Sequence, residues 1–413
     1  MSQLITLEPA ADSLRPTSRG LALFQLGFRP FYLLAAAFAA ITLPLWVAVF
    51  CGWIDWGKSL GPALWHAHEM VYGFALAVIS GFLFTAAKTW TGLATPAGRA
   101  LVLRAALWIA ARIAFAAGAV DWGVSLDLLF LASIALPLAR ILVATRNRRN
   151  YFVFLLLGAF AAADIVFWVA HNQKLDVSPM APVHFGLFLV VMLISVMGGR
   201  VIPSFTANAL PGVWQWRNTR LDQVALAFTA AALIAFLAGG TGMTSATDSR
   251  VATLTAALCI VAAALQTIRL FGWNPWATRK NPMLWILHTA YAWIPLGLML
   301  AALATRNVLS PIVALHAFSV GAIGGMIIGM ITRTALGHTG RPMRAGTAEF
   351  VMFGLIQLAA VIRVFLPLAW PARYVEFVIA SGICWSIAFA LYVAVYLPRL
   401  AQSRVDGRAG SRA

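Results

Sequence analysis

The sequence predicts an all-α integral membrane protein of twelve transmembrane helices, arranged as three degenerate repeats of four. Three observations predict it. Of the 413 residues, 62% are hydrophobic and only 10% charged, with mean hydropathy +0.85. Soluble domains carry about 25% charged residues, so the solvent this composition suits is lipid. Twelve apolar windows follow one another, each near the roughly 20 residues that cross a bilayer core. Finally, the basic residues alternate between loops in a way that fits this count and no neighbouring one.

The expected spans run Phe31 to Gly52, Trp65 to Ala87, Ala100 to Val120 and Val124 to Ala144. They continue with Tyr151 to Ala170, Val183 to Ile202, Gln223 to Gly240 and Val251 to Phe271. The last four are Pro282 to Thr305, Val308 to Thr332, Phe350 to Leu368 and Tyr374 to Leu397. The chain divides into a tail at 1–23, one membrane domain at 24–398 and a second tail at 399–413. The even-numbered loops and both tails carry 23 basic residues, among them Lys88, Arg146, Arg217, Arg279 and Arg341. The other face has five: Lys58, Lys174, Arg250, Arg306 and Arg373. A miscounted helix would scramble that split. By the positive-inside rule both termini are cytoplasmic.

Net charge is +17. In a soluble chain that would suggest nucleic acid, but here loop anchoring accounts for it, so lipid and not nucleic acid is the expected partner. The three cysteines, Cys51, Cys259 and Cys384, lie in or beside separate apolar runs and form no CxxC pair. They read as small hydrophobes. The polar stretch from Pro9 to Gly20 does not read as a cleaved signal peptide.

The polar residues inside this apolar frame are few. Trp65-His66-Ala67-His68-Glu69-Met70 opens the second span, His184 opens the sixth, and His316 sits about 12 Å into the tenth. All lie toward the outer side, as do His171 and Asp164 on the fifth span. His288 is in the inner half of the ninth span, and His338 follows the tenth. The spans with these histidines are four apart in order. His68 is followed by Gly73 and Gly81, His316 by Gly321 and Gly329, at identical offsets. On a helix these glycines lie opposite the histidine and permit close contact with a neighbour. The sixth span matches less well, with Gly198 and Gly199.

Neutral imidazole ligates haem iron and copper, and haem further needs an apolar slot. Residues 66 and 68 are about 200° apart on a helix, so both cannot face one metal, whereas His66 and Glu69 share a face. One division follows: His68 and His316 as haem axial ligands, His66 and His184 for copper or its surroundings, Glu69 as proton carrier. Arg200 and Arg333 could bind a cofactor carboxylate, against the plainer reading of loop anchoring. The plain reading for any histidine near a helix end is an interfacial, hydrogen-bonded side chain. It is least apt for His316, because ionisable groups deep in a membrane are functional by default.

Several stretches also resemble the NnrS family. They are Phe28-Arg29-Pro30-Phe31-Tyr32, Trp65 to Met70 with Gly81-Phe82-Leu83 and Trp90-Thr91-Gly92, Gly199 to Thr206, and His316-Ala317 running to Gly337-His338-Thr339-Gly340-Arg341-Pro342. The similarity covers roughly Phe24 to Leu397. It implies a haem b- and copper-containing protein of the bacterial inner membrane, linked to nitric oxide and nitrosative stress, with quinol as a conceivable electron donor. A looser similarity joins the three-by-four plan to haem–copper oxidases. The chain departs from those in having one histidine on the tenth span and none on the seventh. Two other function classes remain on sequence alone: a twelve-helix secondary transporter, and a metal-holding sensor or assembly protein without turnover. A threefold repeat argues against the transporter, which is commonly built from two halves.

Overall fold

In a computed structural model the described residues are 22–56, 59–239 and 249–405. Most of both expected tails lies outside them, together with Arg15, Arg19, Lys58, Arg408 and Arg412. Twelve long helices account for most of the described chain: α1 (Phe28–Phe50), α2 (Pro62–Thr91), α3 (Arg99–Ala116), α4 (Val120–Ala144), α5 (Phe152–His171), α6 (Met180–Ala209), α7 (Thr219–Gly239), α8 (Ser249–Gly272), α9 (Pro282–Thr305), α10 (Pro311–His338), α11 (Thr347–Ala369) and α12 (Tyr374–Ala401). No strand occurs among the described residues. Eleven helices are long and apolar enough to cross a membrane. The twelfth, α3, has 18 residues and carries Arg99, Arg104 and Arg112.

Local chemistry sets the helix starts. Pro62, Pro282 and Pro311 occupy the first turn of α2, α9 and α10, where a missing N–H costs nothing and φ is already helical. Asn281 and Ser310 cap α9 and α10, each side-chain oxygen accepting from the backbone N–H two residues on. These caps begin α10 three residues later than the apolar run suggests. At its far end α10 continues to His338, and α6 runs on to Ala209. His338 therefore ends a helix instead of sitting in a loop, its ring against Phe28.

The packing repeats every four helices. α1 packs on α2, α5 on α6 and α9 on α10. α3 packs on α4, α7 on α8 and α11 on α12. The units join through α4 to α5, α8 to α9 and α12 to α1. This leaves α2, α6 and α10 innermost, with α6 touching both others. α2 and α10 each switch to a π-helical turn immediately after their histidine, at Glu69–Ala75 and Ala317–Gly324. Their glycines face the preceding helix as the offsets imply. A Cβ at Gly73 would come within 2.7 Å of Phe38 on α1, and one at Gly321 would overlap the Trp293 ring on α9. α6 departs from the pattern: Gly198 and Gly199 press instead on Tyr291 of α9 and Arg269 of α8.

Candidate functional site

Near the N-terminal ends of α2, α6 and α10 the bundle encloses a cavity of about 250 Å³, also walled by α1, α11 and α12. His66, His184 and His316 all line it. The wall is otherwise largely apolar, with Leu43, Phe74, Leu187, Val190 and Val378 among its residues. The His66 ring stacks on Trp46 of α1, centroids 4.1 Å apart and planes 22° apart. The Nδ1 atoms of His66 and His184 are buried without a hydrogen-bond partner. His316 Nδ1 lies 2.7 Å from the Ile312 carbonyl oxygen one turn back. A carbonyl can only accept, so Nδ1 carries the proton and Nε2 keeps its lone pair. That is the arrangement of a ligating imidazole, which usually donates its other N–H to a carbonyl or carboxylate.

His68 lies on another side of α2, inside the first four-helix unit and its neighbour α5. It is fully buried. Its Nδ1 lies 3.1 Å from Glu69 Oε1 and its Nε2 3.1 Å from Asp164 Oδ1. Arg112 of α3 donates through Nη1 to Glu69 Oε1 at 2.6 Å and through Nη2 to both carboxylate oxygens of Asp127 on α4. Tyr72, Phe115 and Phe167 surround the imidazole, with centroids 4.4 to 4.6 Å away. His68, Asp127 and Asp164 place one ligand atom each within 4.8 Å of one another. Among the described residues they form the one cluster of that kind.

Three of the four expected histidines thus meet, and the fourth does not. The pairing of His68 with His316 as facing axial ligands is not met: both His68 nitrogens are engaged by carboxylates, and the residue is absent from the cavity wall. The partner of His316 across the cavity is His66. The turn of the helix between residues 66 and 68 makes the choice, and the glycine register alone points to the wrong one. Glu69 does not share the His66 face either. Arg112 holds its carboxylate on the side away from the cavity, where the π-helical turn begins.

Arg200 and Arg333 are remote from the cavity. Arg200 lies 3.5 Å from Asn150 Oδ1 and over the Phe152 ring. Arg333 donates to the Met283 carbonyl and sits 4.2 Å over Phe205. His288 contacts the Thr206 hydroxyl at 3.0 Å, and His171 stacks on Phe167. Sequence reasoning missed Asp127. Its signal was a carboxylate within the apolar run Val120–Ala144, an expensive placement that calls for a partner. Arg112, near the C-terminal end of α3, is that partner. Cys51, Cys259 and Cys384 are free cysteines.

Fold and site together define a polytopic membrane protein of three four-helix units around a histidine-lined cavity. The chain belongs to the NnrS family: the family model described as NnrS protein matches residues 22–404, nearly all of it. No curated protein matches the chain.

Proposed function

We propose that this is a haem- and copper-binding protein of the bacterial inner membrane that acts on nitric oxide. One observation carries the reading: imidazoles from α2, α6 and α10 converge on one apolar cavity, two of them with a buried nitrogen that has no protein partner. Burying an unpaired polar atom costs on the order of 1–3 kcal/mol. A bound metal would relieve that cost. The donors suit the group: neutral imidazole serves copper and haem iron alike, and apolar walls suit a haem ring. His66, His184 and His316 would hold the metal, which when bound supplies a redox-active site able to ligate a diatomic molecule. The protein's own part is to present fixed imidazoles, with the His316 tautomer set by the Ile312 carbonyl, and to exclude water. Family membership supports the link to nitric oxide. The 23-to-5 division of basic residues supports an inner-membrane protein with both termini in the cytoplasm.

The test is an absorption spectrum with metal analysis on the purified protein. A Soret band, copper and a spectral change with nitric oxide are expected. A preparation with neither haem nor copper ends the reading. Consumption of nitric oxide with a quinol donor then separates an enzyme from a protein that only holds its ligand.

A further inference from the structure

We propose that the histidine cavity holds a small anion, anchored by Arg363. The inference concerns the same cavity as the reading above but requires no metal. Arg363, on α11, is 8% exposed and lines the cavity beside Tyr374. Its Nη2 donates to the Tyr374 hydroxyl at 2.8 Å, and among the described residues that is its one hydrogen bond. No carboxylate pairs with it. Of the other buried arginines, Arg112 has Glu69 and Asp127, Arg269 has Asp222, and Arg29 and Arg333 donate to backbone carbonyls, whereas Arg363 has neither kind of partner. A buried charge without its opposite is costly and in membranes faces a cavity or a partner.

The rest of the wall has no acid to pair with that charge. No Asp or Glu lines it. The Trp385 indole N–H is buried and unpartnered and can only donate, while the unpartnered Nδ1 atoms of His66 and His184 donate or accept according to tautomer. The Ser381 hydroxyl is turned away, donating to the Ala359 carbonyl. Arg363 lines the same cavity as His66, His184 and His316. A cavity with a guanidinium that no carboxylate pairs and an indole N–H to spare is complementary to an anion. The planar fork of arginine favours a carboxylate-like one, taken by two parallel hydrogen bonds. A free oxyanion such as nitrite and the carboxylate of a bound organic cofactor share that chemistry.

The experiment is calorimetric titration of the full-length purified protein with nitrite and with azide, before and after metal removal by a chelator. Bound organic carboxylates are identified in parallel by mass spectrometry. Saturable binding in both states is expected, weakened about tenfold or more in Arg363→Gln, the usual worth of a hydrogen bond to a charged group. Tyr374→Phe should retain it, since the change releases a guanidinium donor. If the site is already filled by a cofactor carboxylate, wild type carries that molecule and Arg363→Gln loses it. Should Arg363→Gln not fold, Arg363→Lys carries the test, with the charge kept and the fork lost, and weaker nitrite binding expected. Equal anion binding and equal cofactor content in wild type and variant overturn the proposal. So does binding that depends on the metal and not on Arg363. A protein without haem or copper that still binds anions through Arg363 would sink the metal reading and leave this one standing.

Discussion

His66 and His68, separated by a single alanine, serve different parts of the bundle. His66 stacks on Trp46 and faces the cavity shared with α6 and α10. His68 faces Asp164 of α5 and, with Glu69, joins the Arg112–Asp127 ion pair. One helix turn therefore carries a cavity-lining residue on one side and a member of a buried charge cluster on the other.

The first prediction uses that separation. His184→Ala combined with His316→Ala removes two of the three imidazoles and should abolish copper retention. His66→Ala alone should weaken it. His68→Ala should leave copper content near wild type in whatever fraction folds. Metal analysis on monodisperse protein decides the matter. Loss of copper in His68→Ala with retention in the double variant would return the metal to the first four-helix unit.

Arg112 supports the second prediction. It is 6% exposed and bridges two fully buried carboxylates. Removing one member of a buried pair strands the others and costs about 3–5 kcal/mol, so Arg112→Ala should lower the midpoint of unfolding in detergent sharply. Arg373→Ala is the comparison. Arg373 and Glu376 are 69% and 67% exposed at 3.9 Å, and such surface pairs contribute about 0–1 kcal/mol. Similar losses in the two variants would remove the case for a stabilising cluster.

Much of the fold was legible because hydropathy and loop charge are summed over many residues, so single errors do not move them. The repeat was legible through four glycines, since their role is only to be small where α1 and α9 approach, Phe38 and Phe31 at Gly73 and Gly81, Trp293 and Leu287 at Gly321 and Gly329. The site was half legible. The sequence marks His66, His184 and His316 as costly placements, but which face of α2 looks at α10 depends on bundle geometry. The charge cluster was less legible still. Arg112, Asp127 and Asp164 come from three helices, and no spacing rule links them. Each four-helix unit does tie its α3-type and α4-type helices with an ion pair: Arg112–Asp127, Asp222–Arg269 and Glu349–Arg399. The first unit puts the arginine on its α3-type helix, whereas the second and third put the acid there, and the position along the helices shifts, which hides the relation from the sequence.

The glycine contacts give a third prediction. Gly321→Ala puts a methyl into the Trp293 ring, and Gly73→Ala puts one within 2.7 Å of Phe38. Small-to-large changes in packed cores cost about 1–3 kcal/mol, so both should unfold more easily. Gly158 and Gly354, inside α5 and α11, have nothing within 4 Å of such a methyl. Alanine there should be neutral or stabilise by up to about 1 kcal/mol, through the helix propensity of alanine over glycine. Melting curves of the four variants test the pattern, and equal effects at all four positions would contradict the close approach of α1 to α2 and of α9 to α10.

Orientation supplies the last prediction. The charge rule puts the loop between α9 and α10 outside and the loop between α10 and α11 in the cytoplasm. Val308 and Met343 lie in these loops, exposed by 68% and 40%. A cysteine at each, in a chain whose Cys51, Cys259 and Cys384 are replaced by alanine, can be probed with a thiol reagent that does not cross membranes. Val308→Cys should react in intact cells with a permeable outer envelope, and Met343→Cys only after the inner membrane is opened. The same geometry fixes the side of the histidine cavity. His316 lies eight residues from Val308, near the same end of α10, while Met343 follows the other end. Labelling of Met343→Cys in intact cells would turn the protein over and place the cavity toward the cytoplasm. A metal bound there would then have to be supplied from within the cell instead of from outside the membrane.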